Sequence, residues 1–467
     1  MLFKGIGDLI PLYALYALLF ADHGLSTGQI SSLFAIWSTT AFLLEVPSGA
    51  WADTVSRRAL LVLSGVLLTA GFAAWTVIPA YPGFAAGFVL WGVSGALQSG
   101  TFEALLYDEL AAQGERAAYP RIVGYARAAS EAAVVIAIVA ATPLYIWGGY
   151  ALLGWASVAV AAIHTLIALA LPSAPKVVSA ADVDDPEDDA TEDDPPTSSR
   201  RYSRAPGVDI PTASKEACAT DITDLERDVA ERDSAQSTTA AVLGEHASSQ
   251  APPGPFAEYL TMLRAGVAEA IRVRAVRNGV LLGALLFGIT AFDEYFALLA
   301  ESVGVSTAVV PLLVGVTVLG SLIGSLSAGR TEGMAGRTMA IAVGVGGLLF
   351  VGGALVAGLA VRWPSAVYVL ACVGFTAIGV SYGIVYNASV VAGARLQDVI
   401  AGPARATVTS VSGLASEVVA LAVFAFAATA THYLSMPTTV ALLGATILPI
   451  ALLTPSWLPR HHPDRPS

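Results

Sequence analysis

The chain has 467 residues, of which 55% are hydrophobic and only 13% are charged, about half the charged fraction of a typical soluble protein. The formal net charge of −12 is concentrated in one segment, because residues 173–256 hold 18 of the 36 acidic residues and 7 of the 24 basic residues. This distribution, with a mean hydropathy of +0.68, argues against a soluble enzyme and a nucleic-acid-binding protein and predicts a nearly neutral membrane body.

Twelve apolar segments reach the length of about 20 residues that a helix needs to cross a bilayer. Equal groups of six on either side of a polar insert predict an all-α membrane protein built as two pseudo-symmetric six-helix bundles, 1–172 and 277–455. We number the segments as spans 1 to 12, and they comprise residues 3–21, 28–50, 59–79, 83–107, 122–145, 149–171, 278–299, 305–328, 338–361, 364–391, 406–430 and 435–455.

Span 1 has an alternative interpretation as a secretory signal peptide, since it joins an early positive charge, Lys4, to an apolar core. The residues that follow, Phe20 to His23, contain no A-x-A cleavage pattern. We therefore expect span 1 to remain part of the protein.

Basic residues are concentrated on one side of the predicted bundle. Cytoplasmic loops of membrane proteins are enriched in Lys and Arg. If both termini are cytoplasmic, the outer loops receive only Arg362. The sequence thus predicts a multi-pass protein of the cell membrane, and the inner side then receives Lys4, Arg57, Arg58, Arg116, Arg121, the insert, Arg330, Arg337, Arg395, Arg405, Arg460 and Arg465.

The insert between the halves has two parts. Residues 173–254 are acidic and poor in apolar residues, a composition typical of a disordered cytoplasmic linker. Residues 255–276 carry apolar residues at helical spacing and several arginines, which predicts an amphipathic helix at the inner membrane face. A plain helical connector explains the second pattern equally well.

A motif spans the turn between spans 2 and 3. The sequence from Gly49 runs Gly-Ala-Trp-Ala-Asp-Thr-Val-Ser-Arg-Arg, which places Asp53 four residues later and Arg57 and Arg58 at the start of span 3. This pattern resembles the loop motif of the major facilitator superfamily. The Glu45-Val-Pro-Ser-Gly segment and the end of span 4, near Asp108, resemble a prokaryotic permease branch of that superfamily.

The resemblance implies a gate at this turn. In family members the motif Asp meets the N-terminus of helix eleven, which here lies near Arg405 and would favour an anion. Asp53, Gly49, Arg57, Arg58 and Asp108 would then form a latch that holds the outward-facing state. A turn that only sets topology is the alternative. Ala328 stands at the equivalent position in the second half, so the predicted latch is one-sided.

The resemblance also implies a secondary transporter, and efflux is expected from the resemblance alone. Proton coupling is favoured because carboxylates lie in several spans without metal-ligand clusters. Two features of drug–proton antiporters are missing, however. Span 5 has no Gly-Pro repeat, and span 4 has no Arg, because none lies between Arg58 and Arg116. The substrate therefore remains open.

Ionisable residues inside spans are costly and tend to face a partner or a cavity. Arg127 and Glu131 share one face of span 5, and we expect a structural network around Arg127. Glu103 or Asp108 on the preceding span is predicted as a further partner of Arg127. A structural role in helix packing is the alternative for each such residue. The full set is Asp8, Glu45, Glu103, Arg127, Glu131, His164, Asp293, Glu294 and Glu417.

Four of these carboxyl groups are the best candidates for proton or substrate binding. Glu131 and Glu417 lie deep within their spans, and apolar surroundings favour reversible protonation. Asp293 and Glu294 are adjacent in span 7, so their mutual repulsion favours one bound proton. Aromatic residues beside these acids would suit an organic and even cationic solute.

The sequence thus predicts a secondary active transporter of a small organic solute, with protons as coupling ion, lipids as partners and a monomeric state. Uptake by symport, a non-transporting sensor and a lipid-handling protein are the alternatives. ATP as the energy source is disfavoured, because none of the three lysines lies in a phosphate-binding loop. No HExxH, GxSxG or metal-ligand pattern is present, so we expect no enzyme activity, cofactor or metal.

Overall fold

The computed structural model describes residues 1–172, 272–400 and 405–459. Every regular element within these ranges is a helix. The predicted linker 173–254 lies outside them, as does nearly all of the predicted amphipathic helix 255–276; both stay predictions. Where the description resumes, the helix of span 7 begins at Arg274.

The first half contains six spans. Span 1 consists of three short helices and span 4 of two, whereas spans 5 and 6 form one helical stretch bent at Gly148 and Gly149. The helices are Leu2–Gly7, Pro11–Ala14, Tyr16–Asp22, Thr27–Thr54, Arg57–Val77, Tyr81–Gln98, Thr101–Ala112, Arg116–Ala118 and Tyr119–Leu169.

The second half repeats this arrangement. Eight helices of the described chain are long and apolar enough to cross a membrane, one of them the doubled span 5–6 stretch. With spans 1, 2 and 4 they confirm twelve. The second-half helices are Arg274–Gly288, Ile289–Tyr295, Phe296–Ser302, Val310–Thr331, Gly336–Leu359, Pro364–Ala366, Val367–Val399, Arg405–Ala430, Met436–Ala445 and Ile447–Trp457.

Antiparallel spans give the bundle two ends. We call the end with Met1, residue 172, residue 272 and Pro459 the terminal end. The opposite end, with the turns after Asp22, Val77, Gly148, Ser302, Leu359 and Ala430, is the distal end.

Spans 1 and 7 are both interrupted near their middle, which corrects the prediction of two continuous helices. In span 1, Pro11 has no backbone N–H to donate, and a 3-10 turn, Pro11–Ala14, replaces the α-helix. In span 7 the 3-10 segment Ile289–Tyr295 carries Asp293 and Glu294. The first span of each half therefore contains a 3-10 segment near its middle.

Span 4 also departs from prediction, because it divides into Tyr81–Gln98 and Thr101–Ala112. Gly100 between them adopts φ +70°, the left-handed region that glycine tolerates. The second segment carries Glu103 and Asp108.

Aromatic side chains fill the core of the first half. Trp91 stacks on Tyr13 with ring centroids 5.1 Å apart and on Trp37 at 5.0 Å. Trp75, 1% exposed, packs against Phe88 at 4.7 Å and donates its indole N–H to the carbonyl of Phe84. Aromatic rings bury large areas in fixed geometry, so they hold span 1 firmly against spans 2 to 4.

Candidate functional site

The interrupted segments of spans 1 and 7 face each other across a small cavity of about 30 Å³. A space of this size holds one or two water molecules. Discontinuous helices at the boundary between repeats are where transporters bind substrates and ions. The cavity is lined by Tyr13, Ala14, Tyr16, Ala17, Asp293, Glu294, Ala297 and Val314.

Glu294 has its hydrogen-bond partner in the other half of the molecule. The hydroxyl of Tyr16 in span 1 donates to Oε2 of Glu294 in span 7. Tyr16 is 7% exposed and is surrounded by aromatic rings of spans 1 to 4. The aromatic core of the first half thus positions the Tyr16 hydroxyl as a hydrogen-bond donor to a carboxyl group of the second half.

Asp293 points in a different direction from its neighbour. It accepts a 2.5 Å hydrogen bond from the hydroxyl of Tyr382 in span 10. The Tyr382 ring contacts Tyr386 in an edge-to-face arrangement with centroids 4.9 Å apart. Each of the adjacent carboxylates therefore has its own tyrosine, one within its own half and one across the cavity.

Two further hydrogen bonds join the halves. Ser31 of span 2 and Tyr295 of span 7 share one of 2.7 Å between their hydroxyl oxygens. Ser38, about two turns further along the same face of span 2, donates to Oε2 of Glu417 in span 11. Glu294 and Glu417 consequently each accept a hydrogen bond from a hydroxyl of the first half. Glu131, predicted with Glu417 to lie deep in its span, is instead exposed.

Span 5 shows that the space between the halves widens toward the terminal end. Gly124, Glu131 and Ile138 lie on one face of the helix. Ile138 is 4% exposed and packs against Gly315 of span 8, whereas Glu131 and Gly124 are exposed. Glu131 lies within electrostatic reach of Asp8 and of Tyr386.

Span 11 shows the same gradient on the opposite side. Gly413 is exposed, Glu417 is partly buried and Phe424 is 2% exposed along one helical face. Phe424 contacts Phe34 of span 2, whose ring also meets Tyr295. The cleft is thus open at the terminal end and closed by aromatic side chains toward the distal end.

The motif arginines bind within the first half. Arg57 pairs with Asp108 at the end of span 4 and donates a 3.1 Å bond to the carbonyl of Ala104. Arg58 donates to the carbonyl of Leu169 at the end of span 6. The side chains of Glu45 and Asp53 lie outside the described residues, so the contact between Asp53 and span 11 stays a prediction.

The predicted pairing of Arg127 with Glu103 or Asp108 is wrong. Asp108 is taken by Arg57, and Glu103 lies 3.8 Å from the ammonium of Lys4. Arg127 itself is exposed in the cleft and makes no ion pair within 4 Å with a described carboxylate. In the folded protein, helix packing places Lys4 next to Glu103 and Arg57 next to Asp108.

Asp8 and His164 lie where spans 1, 5 and 6 meet. Asp8 follows the first break in span 1 and accepts a hydrogen bond from Ser130. His164 is fully buried, with Nδ1 3.0 Å from the carbonyl oxygen of Phe3. These contacts fit helix packing, the alternative considered from sequence.

Sequence reasoning missed the hydroxyl partners of the carboxylates. Tyr16, Ser31 and Ser38 gave no signal, since hydroxyl residues are common in spans and only packing selects their partners. Pro11 was the available signal for the break in span 1. Among the described residues, no group of three or more His, Cys, Asp or Glu side chains could hold a metal ion.

Known structures share this architecture at low sequence identity. The nucleoside transporter NupG aligns with a TM-score of 0.60 at 12% identity over 97% of this chain and 98% of its own. A POT family transporter in complex with 5-aminolevulinic acid gives 0.59 at 13% identity over 97% and 95%. The peptide transporter POT in complex with alafosfalin gives 0.60 at 12% identity over 97% and 92%.

Sequence comparison assigns the family. No curated protein sequence matches the chain. The family model described as Major Facilitator Superfamily matches residues 2–402, which include the motif turn and the interrupted spans 1 and 7. The chain belongs to the Major Facilitator Superfamily and is a membrane transporter of that kind.

Proposed function

We propose that this transporter exchanges protons for a small organic cation by alternating access, with Glu294 as the central carboxylate. The observation that carries the proposal is the hydrogen bond from Tyr16 to Glu294 across the two interrupted spans. It places one ionisable group at the point where both halves and the cavity meet.

The charge of the cleft favours a cation. Asp293, Glu294, Glu417 and Glu131 contribute four carboxyl groups, and Arg127 near the open end is the base that accompanies them. Aromatic rings of Tyr13, Tyr16 and Tyr382 lie beside the acids. Carboxylates and aromatic faces together attract an organic cation, because both offer negative electrostatic potential.

Antiport follows from competition for one group. A proton and a cation each neutralise the carboxylate of Glu294, so binding of one displaces the other. After the transporter has released its solute, it then changes back to the other state with a proton bound to Glu294. With an inward proton gradient and cytoplasmic termini, this cycle exports the cation from the cell.

The structure corresponds to one of the two states that such a cycle requires. It is closed toward the distal end by Phe34 and Phe424 and open toward the terminal end. The opposite state requires rupture of the hydrogen bonds that Tyr16, Ser31 and Ser38 make to the second half. Solute and proton binding at Glu294 would therefore influence closure directly.

The test uses purified protein in proteoliposomes with a pH-sensitive dye inside. A panel of organic cations is added, and proton movement opposite to the cation is expected. Apparent cation affinity should weaken as pH falls, since protons compete for the same carboxylates. Glu294→Gln should reduce this pH dependence severalfold, whereas Glu301→Gln, in the same span near the distal end, should keep it.

Cation-independent proton movement, or full pH dependence in Glu294→Gln, would contradict the proposal. One observation favours a second candidate: the exposed Arg127 could bind the carboxylate of a zwitterionic solute. That candidate is proton symport. It predicts that proton and solute move in the same direction in the same vesicles and that Arg127→Gln loses transport.

A further inference from the structure

A second and larger cavity lies in the second half, away from the cleft. It has a volume of about 490 Å³ and lies between spans 8, 9 and 10, and we call it the lateral crevice. Its volume falls within the range of small-molecule binding cavities. The lining includes Val316, Ile323, Thr331, Ala342, Thr376 and Asn387.

Glycine pairs create the crevice. A Cβ atom on Gly320 would lie 2.0 Å from the carbonyl oxygen of Gly379, and one on Gly324 would lie 2.0 Å from that of Gly383. Spans 8 and 10 are therefore in backbone contact, as small residues permit in membranes. No side chain from these positions fills the space beside the crossing.

The wall of the crevice is apolar in effect, because its polar groups are satisfied. The amide of Asn387 donates 3.0 Å bonds to the carbonyl of Gly324 and to the hydroxyl of Ser327, and its oxygen accepts one from Thr331. Polar groups of these residues are thus committed to each other. An apolar molecule can therefore bind there without leaving these polar groups unpaired.

The crevice has the dimensions of one hydrocarbon chain. From Val316 to Thr331 it follows span 8 for about 22 Å, close to half the full thickness of a bilayer. Its volume averaged over this length leaves a space about 5 Å wide, and carbon atoms pack at about 3.5–4 Å. A helix with side chains is about 10–12 Å wide and does not fit.

The crevice opens toward lipid and ends beside free positive charges. Ile323 and Val380 in its wall are 59% and 50% exposed on the outer surface of the bundle. Arg330 and Arg337 are exposed at its terminal end. Glu332 between them lies beside the buried Arg395, so the two exposed arginines are left to attract an anion.

We propose that the lateral crevice binds one anionic phospholipid from the leaflet at the terminal end. One acyl chain lies between spans 8, 9 and 10, and the phosphate contacts Arg330 and Arg337. Anionic lipids are concentrated in the cytoplasmic leaflet, on the side where the basic residues predict this end to lie. A bound chain would fill the gap between span 9 and the spans 8 and 10 that line the cleft.

Photocrosslinking tests this site in the complete protein. The probe is phosphatidylglycerol with a diazirine near the end of one acyl chain, in vesicles of phosphatidylcholine. Mass spectrometry should place the label in Val316–Ile323 and Thr376–Gly383. Thr376→Phe and Ala342→Phe should reduce this label severalfold, because a phenyl ring occupies the crevice.

Matched controls separate the crevice from the general lipid surface. Val369→Phe in span 10 and Ile341→Phe in span 9 lie on exposed faces and should leave the label unchanged. Arg330→Gln with Arg337→Gln should lower labelling by phosphatidylglycerol but not by a diazirine phosphatidylcholine.

Three results would overturn the proposal. Label spread evenly over all lipid-facing helices would show that no chain occupies the crevice. Displacement of the label by a transported solute would identify a solute route instead. Crosslinks between two protein copies across spans 8 and 10 would show that a protein surface covers the crevice.

Discussion

The hydroxyl of Tyr16 donates a hydrogen bond to the carboxylate of Glu294, and the two residues belong to the interrupted first spans of opposite halves. The bond exists only while these halves are closed on each other at this level. Under the proposed function, protonation or solute binding at Glu294 would therefore be linked to the closure of the cleft through one contact. Such a linkage is a requirement of alternating access.

Tyr16→Phe should favour the state that is open at the distal end. A hydrogen bond contributes about 0.5–1.5 kcal/mol net, and each 1.4 kcal/mol is a factor of ten in an equilibrium. The population open at the distal end should therefore rise by about 2- to 10-fold. Spin labels at positions 23 and 433, exposed on either half of that end, would report it as longer distances.

The labels require Cys218→Ser and Cys372→Ser in the background. Tyr107→Phe, which removes a hydroxyl from a ring that packs against Tyr119 within the first half, is the control and should leave the distances unchanged. Identical distance distributions for Tyr16→Phe and the unsubstituted protein would show that the contact does not hold the state.

Glu417→Gln should reduce proton coupling without abolishing solute exchange. Glu417 accepts a hydrogen bond from Ser38 across the halves, and a glutamine keeps the shape of the side chain but cannot release a proton. Solute uptake driven by a pH gradient should fall toward the rate seen with equal pH on both sides. Glu131→Gln, at the exposed end of the cleft, should act in the same direction.

Ser38→Ala is the matched control, since it removes the hydroxyl partner and retains the carboxyl group. It should keep pH-driven transport. If both glutamine variants transport normally under a pH gradient, neither residue carries the coupling proton.

Hydropathy predicted the spans well because a bilayer demands about 20 apolar residues whatever their partners are. The interruption of span 7 at Ile289–Tyr295 had no comparable signal. The segment contains no proline or glycine, although Gly288 directly precedes it. The contacts of its acids with Tyr16 and Tyr382 account for the positions of their side chains.

Partner choice was the weakest part of the sequence prediction. Arg127 was near enough in the chain to pair with Glu103 or Asp108, but Lys4 and Arg57 reach those acids in the folded protein. Which basic residue pairs with each acid depends on how spans 1, 3 and 4 pack against each other. The periodicity of the sequence contains no information about this packing. The positions of the charges were predictable, and their pairing was not.

Asp108→Asn should destabilise the first half. The ion pair of Asp108 with Arg57 is largely buried, with side chains 7% and 15% exposed. Removal of one partner of a buried pair costs about 3–5 kcal/mol because the other charge is left unpaired. Thermal unfolding in detergent should show a clear loss, and Arg57→Gln combined with Asp108→Asn should recover part of it. Additive losses in the double variant would contradict direct pairing.

Asp53→Asn should shift the protein toward the state observed here, which is closed at the distal end. The predicted latch between Asp53 and the start of span 11 would hold the opposite state, so its loss leaves the distal contacts unopposed. The spin labels at 23 and 433 should report shorter distances. Glu115→Gln, an exposed acid at the terminal end, serves as control. Unchanged distances in Asp53→Asn would leave the motif as a determinant of topology.

Arg395→Lys should destabilise the second half although it keeps the charge. Arg395 is 3% exposed and donates to the carbonyls of Glu332 and Met334, in the turn between spans 8 and 9, and to that of Pro459 after span 12. The planar guanidinium reaches three directions that one ammonium cannot satisfy together. Each buried carbonyl left without a donor costs about 1–3 kcal/mol.

In the second half, a base on span 10, Arg395, thus stabilises the turn between spans 8 and 9. In the first half, an acid on span 4, Asp108, binds Arg57 at the equivalent turn between spans 2 and 3. Ala328 in place of an aspartate therefore does not leave this turn loose. Arg337→Lys, on the exposed surface of the neighbouring helix, should leave thermal unfolding unchanged. Equal unfolding temperatures for Arg395→Lys and Arg337→Lys would show that the turn is held by packing alone.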